Sequence, residues 1–342
     1  MAAHNRYNVN NRGISFCTFN LHGLNQGGSM LSDLCSVHDD NIDCIFVQEH
    51  WLTPDNLHKI TFFSDRYTFY GKSAMENCVQ KAVLKGTPWG GAGILIKNEW
   101  VGFISNYLIG DRFSAIVLNN SIFVSIYIPS PATVSDNDLI LDVITEIDSF
   151  INQYRVYSII CGGDFNFDVL NVLNKSKSLE RDNVNLFNFI KDNKLVACGA
   201  QLTKNKYLID YTYVHDTLGH YSHIDYILVS EDLFPSVVDY DLFDCAYNLS
   251  YHVPCTIRVD CKSNIFPCIK SCNNLEDGIS AEKNLNINMN NRLSNVMFRW
   301  DHADVNAYAA ETLIGIKSVY DSLLVLWGVV QNSDIKCANV SR

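Results

Sequence analysis

Ile159-Ile160-Cys161-Gly162-Gly163-Asp164-Phe165-Asn166 runs as three apolar residues into two glycines, then sets an acid and an amide two positions apart. Side chains two apart in a strand project to the same side. Asp164 and Asn166 therefore form a polar pair at the mouth of a buried strand. The glycines carry no Cβ, which lets backbone and ligand approach closely. Alone, Gly-Asp-x-Asn more often marks a turn; the rest of the chain separates the two readings.

Upstream, Asp138 to Tyr154 carries apolar residues at 139, 140, 143, 144, 147, 150 and 151, the spacing of a helix, with Ser135 or Asp136 as its cap. Before it, Ser114 to Leu118 and Ile122 to Ile128 flank Asn119-Asn120, a hairpin signal whose second arm ends at Tyr127-Ile128-Pro129. Near the start, Ile14 to Phe19 alternates as a strand and runs into Asn20-Leu21-His22-Gly23. Helical spacing over Met30 to Val37 and a buried strand over Asp43 to Gln48 follow, ending at Glu49-His50-Trp51. Strand, helix and strand in that order predict a βαβ start. Residues 71–91 read as a long loop with Lys72, Lys81 and Lys85, followed by a strand over Gly93 to Ile96. Downstream come a helix over Val184 to Asp192 and strands at Tyr211–Val214, His223–Val229 and Val253–Val259, the last just after Ser250-Tyr251-His252. There is no internal repeat.

A chain of 342 residues, 47% hydrophobic and 18% charged, fills a substantial core. The sequence divides into a polar leader (1–12), a globular domain (13–261), an Asn-, Ser- and Lys-rich linker (262–296) and an amphipathic helical tail (297–342). In the tail, Asp301 is the expected N-cap, and residues 313, 316, 320, 323, 324 and 327 form one apolar stripe for the domain or a missing neighbour. No run reaches the 18 apolar residues of a membrane span, and the leader lacks the apolar core of a signal peptide, so an intracellular, membrane-free setting is expected. Twelve cysteines without a tight framework fit free thiols; Cys261, Cys268 and Cys272 match no standard zinc spacing. The formal charge of −11 argues against broad coating of DNA. It leaves room for a basic patch, for which Lys72, Lys81, Lys85 and Arg112 are candidates, or for a divalent cation that supplies the positive charge.

Polar residues stand at five predicted strand ends: Asn20, Glu49, Tyr127, Asp164 with Asn166, and Asp225 followed by His252. Each has an ordinary reading, as a cap, a surface acid, a core edge or a paired carboxylate. Their repetition at the strand ends, where open sheets gather ligands, favours a site. Phosphodiester cleavage needs this inventory. Glu49 can supply a carboxylate to a hard cation whose other positions water fills. Asp164 and Asn166 suffice as base and orienting amide for the attacking water. His252, Asn166, Tyr127 and the cation can meet the charge that builds on the phosphate oxygens, with Asp225 to hold His252 protonated.

Taken together, Asn20-Leu21-His22-Gly23, Gln48-Glu49, Ser125-Ile126-Tyr127-Ile128-Pro129, Gly163-Asp164-Phe165-Asn166, Ser222-His223-Ile224-Asp225-Tyr226 and Ser250-Tyr251-His252 resemble the endonuclease/exonuclease/phosphatase superfamily, in order from Gly13 to Asp260. Tyr211-Thr212-Tyr213, Ser73-Ala74-Met75-Glu76 and Arg299-Trp300-Asp301 look like the apurinic-endonuclease-like domain of LINE-type retrotransposons of the jockey and chicken-repeat branch. The resemblance implies an α+β fold, a four-layer sandwich of two packed β-sheets with outer helices. It implies nicking of double-stranded DNA, dependent on Mg²⁺ or Mn²⁺, to leave a 3′-hydroxyl for target-primed reverse transcription. A nuclear location and a reverse transcriptase domain absent from this chain go with it. Carried over by residue, Glu49 holds the metal with Asn20 close by, and Asp164 handles the water that Asn166 orients. His252 contacts the phosphate and is oriented by Asp225, Tyr127 donates to the phosphate, and Thr212 lies near the DNA backbone.

Two positions depart from the pattern. Tyr251 stands where the family usually has Asp before the last His, and His22 stands where apurinic-endonuclease cousins carry an acid. Both changes remove acid from the metal side, which predicts impaired activity and leaves a degenerate, non-catalytic nucleic-acid-binding copy as the main alternative. A phosphomonoesterase or phospholipase of the same fold is the other, since fold alone does not separate these chemistries.

Overall fold

The computed structural model describes residues 13–36, 42–80, 83–84, 86–130, 134–170, 184–199, 209–215, 218–243, 245 and 247–260. The expected leader (1–12), linker (262–296) and tail (297–342) lie outside the described residues, as do Lys81, Lys85, Cys261, Cys268 and Cys272. The strands are β1 (Ile14–Asn20), β2 (Cys44–Gln48), β3 (Tyr67–Lys72), β4 (Val79–Gln80), β5 (Val83–Leu84), β6 (Ala92–Lys97), β7 (Ile104–Ile109), β8 (Phe113–Leu118), β9 (Ser121–Tyr127), β10 (Ser158–Asp164), β11 (Leu195–Cys198), β12 (Tyr213–His215), β13 (His220–Ser222), β14 (Asp225–Ser230), β15 (Val237–Leu242) and β16 (Cys255–Val259). They form two six-stranded mixed sheets, ordered β15-β16-β1-β2-β6-β3 and β11-β14-β10-β9-β8-β7, so the fold is an α+β sandwich of two packed sheets.

Each sheet is built around one parallel pair, β1 with β2 and β9 with β10, flanked by antiparallel neighbours. Parallel neighbours need a crossover, and here each crossover carries a helix, Leu24–Ser36 in the first sheet and Val134–Ile151 in the second. This bears out the βαβ start. The hairpin at Asn119-Asn120 also forms, with Asn119 at φ +50° as such a turn requires.

Period-two alternation divides the core. Ile160 joins Phe16, Phe46, Ile94 and Phe123 between the sheets. Its neighbours Ile159 and Cys161 pack with Ile140, Ile147, Phe189 and Ile190 from the helices Val134–Ile151 and Val184–Asp192. A buried polar strap crosses the sheets, in which Thr18 Oγ1 donates to Gln48 Oε1, Gln48 Nε2 to Ser125 Oγ (2.9 Å) and Ser125 Oγ to the Val47 carbonyl.

Several expectations are corrected. The first helix starts at Leu24, ahead of Met30, and in the added turn Gly27 packs on Leu21, where a Cβ would come within 2.7 Å. The helix Val134–Ile151 begins before Ser135 and Asp136, so neither stands ahead of its first turn as a cap. Residues 71–91 are only partly loop, since they hold the end of β3, a 3₁₀ turn at Glu76–Cys78 and the small β4–β5 ladder. The paired glycines of β10 serve packing: a Cβ on Gly162 would lie 2.2 Å from Phe46 Cδ2 of the opposite sheet, and one on Gly163 2.0 Å from the Ile126 carbonyl oxygen.

Candidate active site

Strand register assembles one row of the site. Asp164 stands opposite Tyr127 across β9–β10 and opposite Asp225 across β10–β14. Asn20 comes from the facing sheet, where β1 ends beside Gln48 of β2. Asn20 Nδ2 donates to Asp164 Oδ2 at 2.8 Å, joining the two sheets at their common rim. The Asn166 backbone N–H donates to Asp164 Oδ1 at 2.9 Å, while its amide nitrogen donates to the Ile128 carbonyl at 2.8 Å. The sequence pair is therefore a carboxylate held by the backbone of its partner.

His252 lies outside the named strands and itself bridges to Tyr213. Its Nδ1 lies 2.9 and 3.1 Å from the two oxygens of Asp225, and its Nε2 lies 3.9 Å from Asp164 Oδ2. The second separation is too long for a direct hydrogen bond and leaves room for one bridging atom. Burial opposes charge on His252, but Asp225, with Asp164 and Glu49 behind it, outweighs burial and raises its pKa to about 9. Burial and then Asp225 push Asp164 up to about 7, against the pull of His252 and the bonds from Asn166 and Asn20. Thr212 is fully buried, and its Oγ1 accepts the backbone N–H groups of Ile224 and Asp225 at 3.0 and 2.9 Å. It braces the turn that presents Asp225, and with no exposed surface it offers DNA nothing directly.

Ser250 ties the halves together, a role the sequence reading did not assign. Its Oγ donates to the Asn20 carbonyl at 2.7 Å and accepts the His252 backbone N–H at 3.1 Å. The Ser-x-His spacing was the available signal, but the partner lies far away in sequence.

Glu49 has different company. It sits at φ +53°, and Trp51 Nε1 donates to its Oε2 at 3.0 Å. Tyr127 is half-buried close by; burial first, then the Glu49 and Asp164 carboxylates, lift its phenol well above its usual range. The two departing residues touch each other: the His22 ring lies 4.7 Å from Tyr251 and 4.7 Å from Trp51. Among the described residues, six non-glycine positions have positive φ, and four of them, His22, Glu49, Trp51 and Asn166, belong to this rim. Strain of this kind concentrates at functional sites. His50, by contrast, is structural. Its Nε2–H donates to the Lys72 carbonyl and its Nδ1 accepts the Leu52 N–H, while burial lowers its pKa to about 4.

Asp164, Asp225 and His252 each offer a ligand atom, all within 4.8 Å of one another. An imidazolium has no free lone pair, however, and His252 Nδ1 is already turned onto Asp225. As a donor set, the carboxylate of Glu49 and the side-chain oxygen of Asn20 suit a hard divalent ion better, because both are oxygen ligands. Burial raises the thiols of Cys17, Cys44, Cys161 and Cys255, so none of these four is a nucleophile.

The model of the Endonuclease/Exonuclease/phosphatase family matches residues 17–252. No curated protein matches the chain. Among solved structures, a 3′-phosphatase from Neisseria bound to a product DNA hairpin is similar at 16% identity and a TM-score of 0.54, covering 72% of this chain and 99% of that one. A 3′-5′ exonuclease from Neisseria meningitidis gives 16% identity and 0.53, covering 72% and 100%. An AP endonuclease from Leishmania major gives 15% and 0.52, covering 73% and 88%. At these identities the likeness establishes the fold.

Proposed function

The chain belongs to the endonuclease/exonuclease/phosphatase family, and from that premise we propose that it is a divalent-metal-dependent phosphodiesterase that nicks double-stranded DNA and leaves a 3′-hydroxyl. The observation that carries the reading is the convergence of Asn20, Asp164, Asp225 and His252 on one buried cluster, as two hydrogen-bonded pairs 3.9 Å apart.

Asp164, with a pKa near neutrality, takes the proton of the attacking water. Asn20 and the Asn166 backbone hold that carboxylate in one orientation. His252, kept protonated by Asp225, presents Nε2–H to a non-bridging phosphate oxygen in the gap before Asp164. Tyr127, which stays a neutral phenol, is a second donor. Glu49 and Asn20 would hold Mg²⁺ or Mn²⁺, which supplies charge neutralisation to the phosphate when bound. In the wider reading the 3′-hydroxyl primes reverse transcription by an enzyme of the LINE type, with residues 262–342 as the segment leading toward it.

The test is nicking of supercoiled plasmid in Mg²⁺ or Mn²⁺. Relaxed circles that disappear with EDTA, and in Asp164→Ala and His252→Ala, are the expected result. The ring cluster of Trp51, His22 and Tyr251, whose Trp51 bonds Glu49, favours a second reading, a non-catalytic DNA-binding copy. DNA binding without any nicking would establish that instead.

A further inference from the structure

We propose that Arg112, clamped between Trp89 and Tyr127, is the fixed cation that seats a phosphate of the bound DNA strand beside the reaction centre, and that Trp89 stacks on an adjoining base; this rests on the phosphodiesterase reading and extends it to how the strand is held. The guanidinium carbon of Arg112 lies 5.2 Å from the Trp89 ring centroid and 5.3 Å from that of Tyr127. Tyr127 is in turn the register partner of Asp164 and donates its backbone N–H to the Arg112 carbonyl at 2.8 Å. The stack therefore continues the catalytic row β14-β10-β9 by one step, onto the turn between β7 and β8.

Arg112 is not consumed by a carboxylate. Among the described residues none forms an ion pair with it, and the adjacent Asp111 is taken by Lys72 at 2.8 Å. A planar guanidinium fixed against two rings keeps its edge donors for a phosphate and is already oriented before binding. In a chain of charge −11, such a local cation offsets the repulsion that a polyanion meets.

Trp89 remains 36% exposed. Its loop is nonetheless anchored: the Gly90 carbonyl accepts the Trp51 N–H at 3.0 Å, and Trp51 holds Glu49. Gly90 and Gly91 both take positive φ, and a Cβ on Gly91 would sit 2.3 Å from the His50 ring, so the turn beneath Trp89 has little freedom. A rigidly mounted, partly exposed indole next to a guanidinium is the pairing by which proteins stack bases and hold a strand's backbone without reading its sequence.

The test is fluorescence anisotropy of a labelled oligonucleotide, single-stranded and as a duplex of equal length, in EDTA, across a salt series. Trp89→Ala is expected to weaken binding about tenfold with an unchanged salt slope, the size of one lost base stack. Arg112→Ala is expected to weaken it similarly and to flatten the slope of log K against log salt by about 0.7–0.9, one phosphate contact. Trp89→Phe and Arg112→Lys keep the fold: the first is expected to restore most of the affinity, the second to restore the slope but not the affinity. Wild-type-like binding by both alanine variants, an unchanged slope in Arg112→Ala, or no binding by the wild type would each overturn the proposal. Plasmid nicking is scored separately. A wild type that binds through this stack yet never nicks refutes the phosphodiesterase reading alone, and one that nicks while the variants bind normally refutes the stack alone.

Discussion

Around Asp164, Asp225 and His252 the side chains bond to one another and to the backbone, whereas Glu49 is held by the Trp51 indole and the Tyr127 phenol, with the His22 and Tyr251 rings stacked on beyond Trp51. The first half is partly self-compensated, since a buried imidazolium stands between two carboxylates. The second half presents one carboxylate, and at positions 22 and 251, where the resemblance leads one to expect acid, it has rings that stack on each other. On the proposed phosphodiesterase reading, the groups for proton handling and phosphate binding are held by hydrogen bonds, while the cation has one carboxylate to hold it.

The largest expected effect tests the completed half. Asp164→Ala or His252→Ala should lower the nicking rate by about 10²–10⁴-fold, the usual worth of a positioned acid or base. A loss below tenfold would dissolve the distinction between the halves. Asp225→Asn should act on stability as well as rate, because it leaves a buried imidazolium without its carboxylate; a loss of about 3–5 kcal/mol in denaturant unfolding is expected.

The aromatic half is probed in the opposite direction. Tyr251→Asp should raise the rate at limiting Mg²⁺ by about tenfold or more, the scale on which supporting groups tune a metal site. An unchanged or lower rate would mean that the rings do not cost the site its cation. Smaller still is the pH dependence of the metal-free protein. The folded pKa of His252 is raised, so its contribution to stability is complete below its ordinary value of 6.5 and is lost as pH rises through about 9. Melting temperature in EDTA should fall over that window, and His252→Gln should lose that part of the fall. Gly162→Ala should destabilise by about 1–3 kcal/mol through overpacking against Phe46, whereas a glycine kept for ligand approach would change binding and leave stability alone.

Much of the frame was legible because periodicity is local. The strand into Asp164, the Asn119-Asn120 hairpin and the helix at Val184–Asp192 all follow from neighbouring residues. The strands Tyr67–Lys72, Ile104–Ile109, Leu195–Cys198 and Val237–Leu242 were not read, since all four are sheet edges and their patterns are mixed, as in the half-exposed β7. Asp164, Asn166, Asp225 and His252 were legible as strand-end polar residues, but Ser250 and Thr212 were not legible as braces. Their partners, Asn20 and Asp225, are distant in sequence, and hydrogen-bond direction leaves no periodic trace.

From the residues alone came the kinds of group available for the chemistry and the order in which the chain presents them, because side-chain chemistry and two-residue alternation are properties of short segments. Which groups meet could come only from the packed sheets. Asn20 reaches Asp164 because two sheets close on each other over Phe46 and Gly162, and His22 reaches Tyr251 because the first and last described strands lie side by side. Those encounters depend on inter-sheet distance and register, quantities that long-range packing sets and no single stretch contains.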